Sequence, residues 1–249
     1  MKKYSPLLSV IFILTILFCA CKKESGNYKP ARSLNDYYPL ETGKYITYKL
    51  DSLVYLNFGQ SFTINSYEVK YVVDSLLTDN LGNPAYRVFR YIRKQDPDPW
   101  YPSGTFWAIN KQTSFEFVEN NMRFVKLEMP IEDGTTWKGN EFIDTWSMNS
   151  DFQYMDDWDY VYDSVGLPAS IGSIQLDNTI TVHQCNEIEG FPEIDTAYSQ
   201  VNYATEKYGL GVGLVYKEFF HNEYQPNPGG VGFISDGSYG ITLTMIDHN

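Results

Sequence analysis

From Tyr37 to the end of the chain, apolar and polar residues change places every second position, not every third or fourth. Tyr67, Val69, Tyr71 and Val73 alternate with Glu68, Lys70 and Asp74. Successive side chains of an extended chain point to opposite faces, so the pattern predicts a strand with one apolar and one polar face. Asp79-Asn80-Leu81-Gly82-Asn83-Pro84 supplies a turn, and a second strand follows at Ala85 to Arg93. Phe115 to Val118 and Arg123 to Met129 flank Glu119-Asn120-Asn121-Met122, another hairpin signal. Ile174, Leu176, Ile180 and Val182 face one way, with Gln175, Asp177, Thr179, Thr181 and His183 opposite. Leu214 to His221 and Tyr239 to Ile246 give late strands. No long stretch carries a helical stripe, and no Pro/Gly/Ser-rich linker interrupts the run. The expected fold class is all-β, a single antiparallel β domain over residues 37–249. About ten strands would form a curled or barrel-like sheet that leaves few edges open. The alternation does not choose between barrel and sandwich.

The N-terminus follows a different rule. Lys2 and Lys3 precede Leu7 to Ala20, which is apolar except for Ser9 and Thr15. Fourteen residues reach about 21 Å as a helix, short of a hydrocarbon core of about 30 Å. Residues 1–20 therefore read as a signal peptide and not a permanent transmembrane helix. Phe18-Cys19-Ala20-Cys21 resembles a bacterial lipobox, with Cys21 as the lipidated residue. Residues 21–36 would form the lipidated cysteine and a flexible tether, polar and broken by Gly26 and Pro30. Acyl chains contribute about 0.8 kcal/mol per buried CH₂, enough in combination to anchor the protein without spanning. The expected location is the cell envelope, outer membrane ahead of inner, with the body facing periplasm or surface. The body's outward rows carry charge instead of a lipid-facing apolar band, which argues against a membrane-spanning barrel.

Charge narrows the partners. The chain has 19 Lys+Arg and 31 Asp+Glu, a formal net charge of -12. Removing residues 1–20 removes two lysines and no acid, so 17 − 31 gives -14. Phosphate recognition needs a clustered basic surface, so nucleic acid is excluded as a partner. Of the three cysteines one lies in the leader and one is the lipidation site, leaving Cys185 with no intramolecular disulfide partner. A buried filler is the reading for Cys185.

Four segments together resemble a group of uncharacterised envelope lipoproteins from Bacteroidetes-type bacteria. They are Tyr38-Pro39-Leu40-Glu41-Thr42-Gly43-Lys44-Tyr45-Ile46-Thr47-Tyr48, Asp133-Gly134-Thr135-Thr136-Trp137-Lys138-Gly139-Asn140, Tyr208-Gly209-Leu210-Gly211-Val212-Gly213-Leu214-Val215-Tyr216-Lys217-Glu218 and Gly240-Ile241-Thr242-Leu243-Thr244-Met245-Ile246-Asp247. Tyr45 stands where the group usually has Trp. The resemblance implies an envelope lipoprotein with a β-rich body, and it carries no catalytic residue.

Candidate chemistry is sparse. Gly209, Gly211 and Gly213 form a GxGxG run, but Leu214-Val215-Tyr216 continues as strand, so a turn is expected and not a phosphate cradle. Between residues 151 and 163, Phe152, Tyr154, Trp158, Tyr160 and Tyr162 share one parity and Asp151, Asp157, Asp159 and Asp163 the other. A strand with an aromatic inner face and a solvated acidic outer face accounts for both; a calcium site is the alternative, without EF-hand offsets. His183 and Cys185 sit two apart and would supply only half of a four-ligand metal set. His183, His221 and His248 fall in no HExxH spacing, and no serine lies in a GxSxG elbow. The chain is read as a non-enzyme with no cofactor and no metal. Its aromatic load is high, with Tyr 21, Phe 15 and Trp 5. Trp100 and Tyr101, at the end of Asp96-Pro97-Asp98-Pro99, are the ligand-binding candidates. Three functions follow: a glycan- or envelope-partner-binding module first, a lipocalin-like carrier of an apolar ligand second, a hydrolase with dispersed carboxylates last.

Lipidation is testable directly. Intact mass of the native protein should show loss of residues 1–20 plus acyl mass, with sedimentation in the membrane fraction. Cys21→Ala should carry no acyl mass. An unacylated, soluble wild type would refute the anchor.

Overall fold

Thirteen strands follow a short N-terminal helix in a computed structural model that describes residues 32–249. The signal peptide 1–20, Cys21 and most of the tether lie outside the described residues. Helix α1 spans Leu34–Tyr37. Strands β1 to β6 are Tyr45–Leu56, Ser61–Thr78, Pro84–Arg93, Tyr101–Asn110, Ser114–Glu119 and Met122–Glu128. Strands β7 to β13 are Thr136–Trp137, Tyr160–Ile171, Ile174–Gly190, Ser199–Gly209, Gly213–Gln225, Phe233–Ile234 and Tyr239–His248. All pairings are antiparallel, in the order β6-β5-β4-β3-β2-β1-β13-β11-β10-β9-β8-β7, with β12 beside β11. Apart from β12, each strand lies beside its neighbour in sequence, and β13 returns to β1.

The two ends of this order meet. The Val125 N–H of β6 donates to the Gly139 carbonyl just after β7 at 2.7 Å. Trp137 Nε1 donates to the Val125 carbonyl at 2.8 Å. The Tyr162 hydroxyl of β8 both accepts from the Glu128 N–H and donates to the Glu128 carbonyl, each at 2.8 Å. The sheet is thus a nearly closed up-and-down barrel, which resolves the choice left open by the alternation and leaves little free edge.

Local chemistry explains the turns. Asn120 and Asn121 have φ of 52° and 63°, the left-handed pair that a two-residue hairpin of matching twist requires. Gly211 has φ of 75° and makes the β10–β11 turn, with strand on both sides, as expected for the GxGxG run. Two expectations are corrected. The tether expected through residue 36 stops earlier: the Ser33 N–H donates to Asp36 Oδ2 at 2.8 Å, and Leu34 and Tyr37 are buried in the main core. The acidic segment is not one strand. A 3₁₀ turn occupies Gln153–Met155, Asp157 adopts φ of 57°, and β8 begins only at Tyr160. The alternation survives in burial alone, with Trp158, Tyr160 and Tyr162 inside and Asp157, Asp159 and Asp163 outside.

The barrel has two unlike ends. At one, α1 packs under the β4–β5 and β10–β11 turns: the Gly211 N–H donates to the Asp36 carbonyl at 2.6 Å and Tyr37 OH donates to Asn178 Oδ1 at 2.7 Å. At the other lie the β1–β2 and β9–β10 tips and the β11–β13 connection. There β12 ties two tips together, its Ile234 N–H donating to the Gly59 carbonyl at 3.0 Å. Among the described residues no helix is long and apolar enough to cross a membrane.

The seam makes a stability prediction. A Cβ on Gly139 would stand 2.1 Å from Tyr160 Cε2, so Gly139→Ala must displace a buried ring or open the β6–β7 contact. Overpacking of this kind costs about 1–3 kcal/mol. Urea unfolding should show that loss for Gly139→Ala; an unchanged midpoint would show that the seam does not contribute.

Candidate functional site

Strand parity sends four charged side chains into the barrel. Glu119 (β5), Lys126 (β6), Glu206 (β10) and Lys217 (β11) share inward rows with Phe117, Phe124, Tyr208 and Phe219. Glu206 and Lys217 are direct cross-strand partners. Lys126 Nζ lies 2.8 Å from Glu206 Oε1 and 3.8 Å from Glu119 Oε1; Lys217 Nζ lies 3.3 Å from Glu119 Oε1 and 3.8 Å from Glu206 Oε1. Tyr208 OH donates to Glu206 Oε2 at 2.6 Å. The group is balanced, two positive and two negative. Burial alone would raise the Glu206 carboxyl, but Lys126 and Lys217 hold it below its ordinary value of 4.5. Glu119 is lowered the same way. Burial opposes charge on Lys217, yet Glu119 and Glu206 raise it above its ordinary value. Beside the group, buried Glu116 pairs with Lys111 and, at 3.2 Å, with Arg123.

These charges divide the interior. On one side Tyr38, Tyr48, Tyr71 and Tyr208 surround a cavity of about 30 Å³. On the other, Phe124, Trp158, Tyr160, Gln184, Phe219 and Tyr239 enclose about 90 Å³. Pockets for drug-sized ligands run to about 300 Å³ and more. Rings and paired charges therefore fill the space in which a lipocalin-like carrier would hold an apolar ligand.

The residues singled out in the sequence do not converge. Trp100 is half-buried, with Arg93 Cζ at 4.4 Å and Lys70 Nζ at 4.9 Å from its ring centre. Those cations already take up ring surface on which a sugar would stack. Tyr101 is the first residue of β4 and 61% exposed. Asp157 and Asp159 face solvent and share Lys138 at 3.6 and 3.1 Å. His183 and Cys185 do not share a face, because a bulge at Gln184 interrupts the β9–β10 register: Ala204 pairs with Cys185 and Thr205 with His183. His183 is exposed beside Asp163 at 3.3 Å, whereas Cys185 is buried with its thiol pushed up by burial. His221 is buried on β11, stacked on Tyr154 at 3.8 Å, and burial pushes its imidazole down to about 4. Among the described residues no group of three His, Cys, Asp or Glu side chains is gathered to hold a metal.

Sequence reading missed both interior charge and surface hydrophobicity. The signal for the first was present in Glu206 and Lys217, which fall on the apolar rows of their strands. The second is spread over several places, including Trp146 and Met148 in the β7–β8 connection and Leu81 in the β2–β3 turn, and one group of it lies at the tip end. Phe58 is 93% exposed in the β1–β2 turn, Phe62 64% on β2, Phe191 57% after β9 and Val231 71% before β12. The tips are connected: besides the β12 contact, Tyr224 OH donates to the Asp195 carbonyl of the β9–β10 loop at 2.7 Å. Isolated exposed hydrophobics are ordinary; here several stand on tips that are tied to one another.

No family model matches the chain, and no curated protein matches it. Among solved structures it is similar to a putative exported protein with YMCC-like fold from Bacteroides fragilis NCTC 9343, at 10% identity and a TM-score of 0.40, over 84% of this chain and 98% of that one.

Removing one member of the buried ionic group strands its partner. Lys126→Met should cost about 3–5 kcal/mol, and the loss in the Lys126→Met/Glu206→Gln double variant should be well below the sum of the single losses. Because the two carboxyls are lowered, their contribution is complete above 4.5 and is lost as pH falls through their folded values. Because Lys217 is raised, its contribution is complete below 10.5 and is lost as pH rises through the folded value. Denaturant unfolding across pH checks both limbs, and additive variants would show that the group is not coupled.

Proposed function

We propose that this protein is a non-catalytic, lipid-anchored envelope protein of the Bacteroidetes-type lipoprotein group, whose barrel docks an envelope protein partner through its hairpin tips. The observation that carries the docking reading is the connected apolar end formed by Phe58, Phe62, Phe191 and Val231, opposite the end where α1 joins the barrel. A lipid on Cys21 and a short tether would attach the chain from the α1 side, leaving the tips turned outward. The outer membrane is the preferred location. A protein partner is favoured over a glycan because the exposed end is built from Phe and Val, whereas Trp100 is already engaged by Arg93 and Lys70. Tyr101 remains the candidate for a glycan contact.

Site-specific photo-cross-linking in intact cells tests this. A photo-reactive residue in place of Phe58 or Phe191 should capture the same envelope protein, while one in place of Leu81, in the β2–β3 turn at the α1 end, should not. Capture of glycan alone, no adduct, or equal capture from position 81 would overturn the docking reading.

A further inference from the structure

The larger interior cavity contains unmatched hydrogen-bond donors. Among the described residues four buried side-chain polar atoms have no hydrogen-bond partner, and two of them, Trp158 Nε1 and Gln184 Nε2, belong to residues lining this one space. Both residues are almost fully buried, at 2% and 3% exposure. Leaving a buried N–H unsatisfied is costly, so two in one cavity demand an explanation. Lys126 and Lys217 border the same space and add ammonium N–H groups, whereas the Glu206 oxygens already accept from Lys126 and Tyr208. The excess is of donors.

We infer that this cavity is a binding site for a small neutral amide, of about the size of an acetamido group. The excess donors at Trp158 and Gln184 call for a carbonyl acceptor. The neighbouring ionic group is neutral overall, so an incoming anion gains no net countercharge and meets the Glu119 carboxylate on the cavity wall. Glu119, bordering the cavity, accepts the N–H that an amide brings with its carbonyl. Phe124, Tyr160, Phe219 and Tyr239 give the ligand's methyl group an aromatic enclosure. The volume of about 90 Å³ admits a molecule of a few heavy atoms and excludes a lipid. Asn120, exposed in the β5–β6 turn, and half-buried Met122 are also on its wall, so the site approaches the surface there. None of Phe58, Phe62, Phe191 and Val231 lines this site, and neither reading depends on the other.

The test is titration of the full chain in detergent micelles with N-methylacetamide, followed by the indole ¹H–¹⁵N signals. One of the five tryptophan indole signals should shift saturably in the millimolar range, and that signal should be the one absent from Trp158→Phe. Gln184→Leu, similar in size, should weaken binding about three- to tenfold, the equivalent of one lost hydrogen bond. Acetate at equal concentration should bind more weakly. No saturable shift in wild type, a shift confined to other indoles, unchanged affinity in a folded Gln184→Leu, or preference for acetate would each overturn the assignment. Since the wild-type titration and the acetate comparison need no variant, the proposal stays refutable if Gln184→Leu does not fold.

Discussion

Four charges turned into the barrel, Lys126 and Glu206 buried and Glu119 and Lys217 partly so, constrain what is built around them. Glu119 and Lys126 belong to the first half of the sheet, Glu206 and Lys217 to the second. None can be buried alone without a desolvation cost of several kcal/mol, so the two halves must present their charges in register or not close at all. Purely apolar rings could fill the same volume but would not specify which rows face each other. The ionic group makes mismatched closures costly, and the seam between β6 and β7 is where the correct closure is completed.

Much of this architecture was legible in the sequence. Alternation located the strands, and Asn120-Asn121 and the Asp79 to Pro84 segment located the hairpins, because turn chemistry and strand period are local properties. What escaped is not local. Alternation assigns charged residues to the solvent face by default, and only the cross-strand partners of Glu206 and Lys217 show why theirs is the inner face. The bulge at Gln184 reverses parity between His183 and Cys185 with no Gly or Pro to announce it. At Asp157 a left-handed residue ends what the aromatic and acidic rows describe as a continuous strand. The candidate site suffered in the same way. Trp100 was visible as an aromatic in a loop, but the cations covering it come from β2 and β3, and Trp158 and Gln184 meet only in the closed barrel.

The two ends divide the work between structure and surface. Helix α1 places Leu34 and Tyr37 under the turns at its own end, and with Leu40 they belong to the core. Among the described residues the opposite end has no comparable cover. Its hairpins extend past the packed interior, and β12 and Tyr224 hold them beside one another, so the apolar side chains there are presented on a braced platform.

The pairing of β1 with β13 sets the order in which the molecule can be made. Every other long pairing joins strands close in sequence, but Ile46 meets His248 and Leu53 meets Gly240, so the first strand waits for the last. Contacts that distant are slow to form, because the whole intervening chain must be gathered first. Until β13, Tyr239–His248, is in place, β1 has one neighbour, β2, and one bare edge. Strand β13, pairing with β1 on one side and β11 on the other, is therefore the piece that joins the two halves of the barrel.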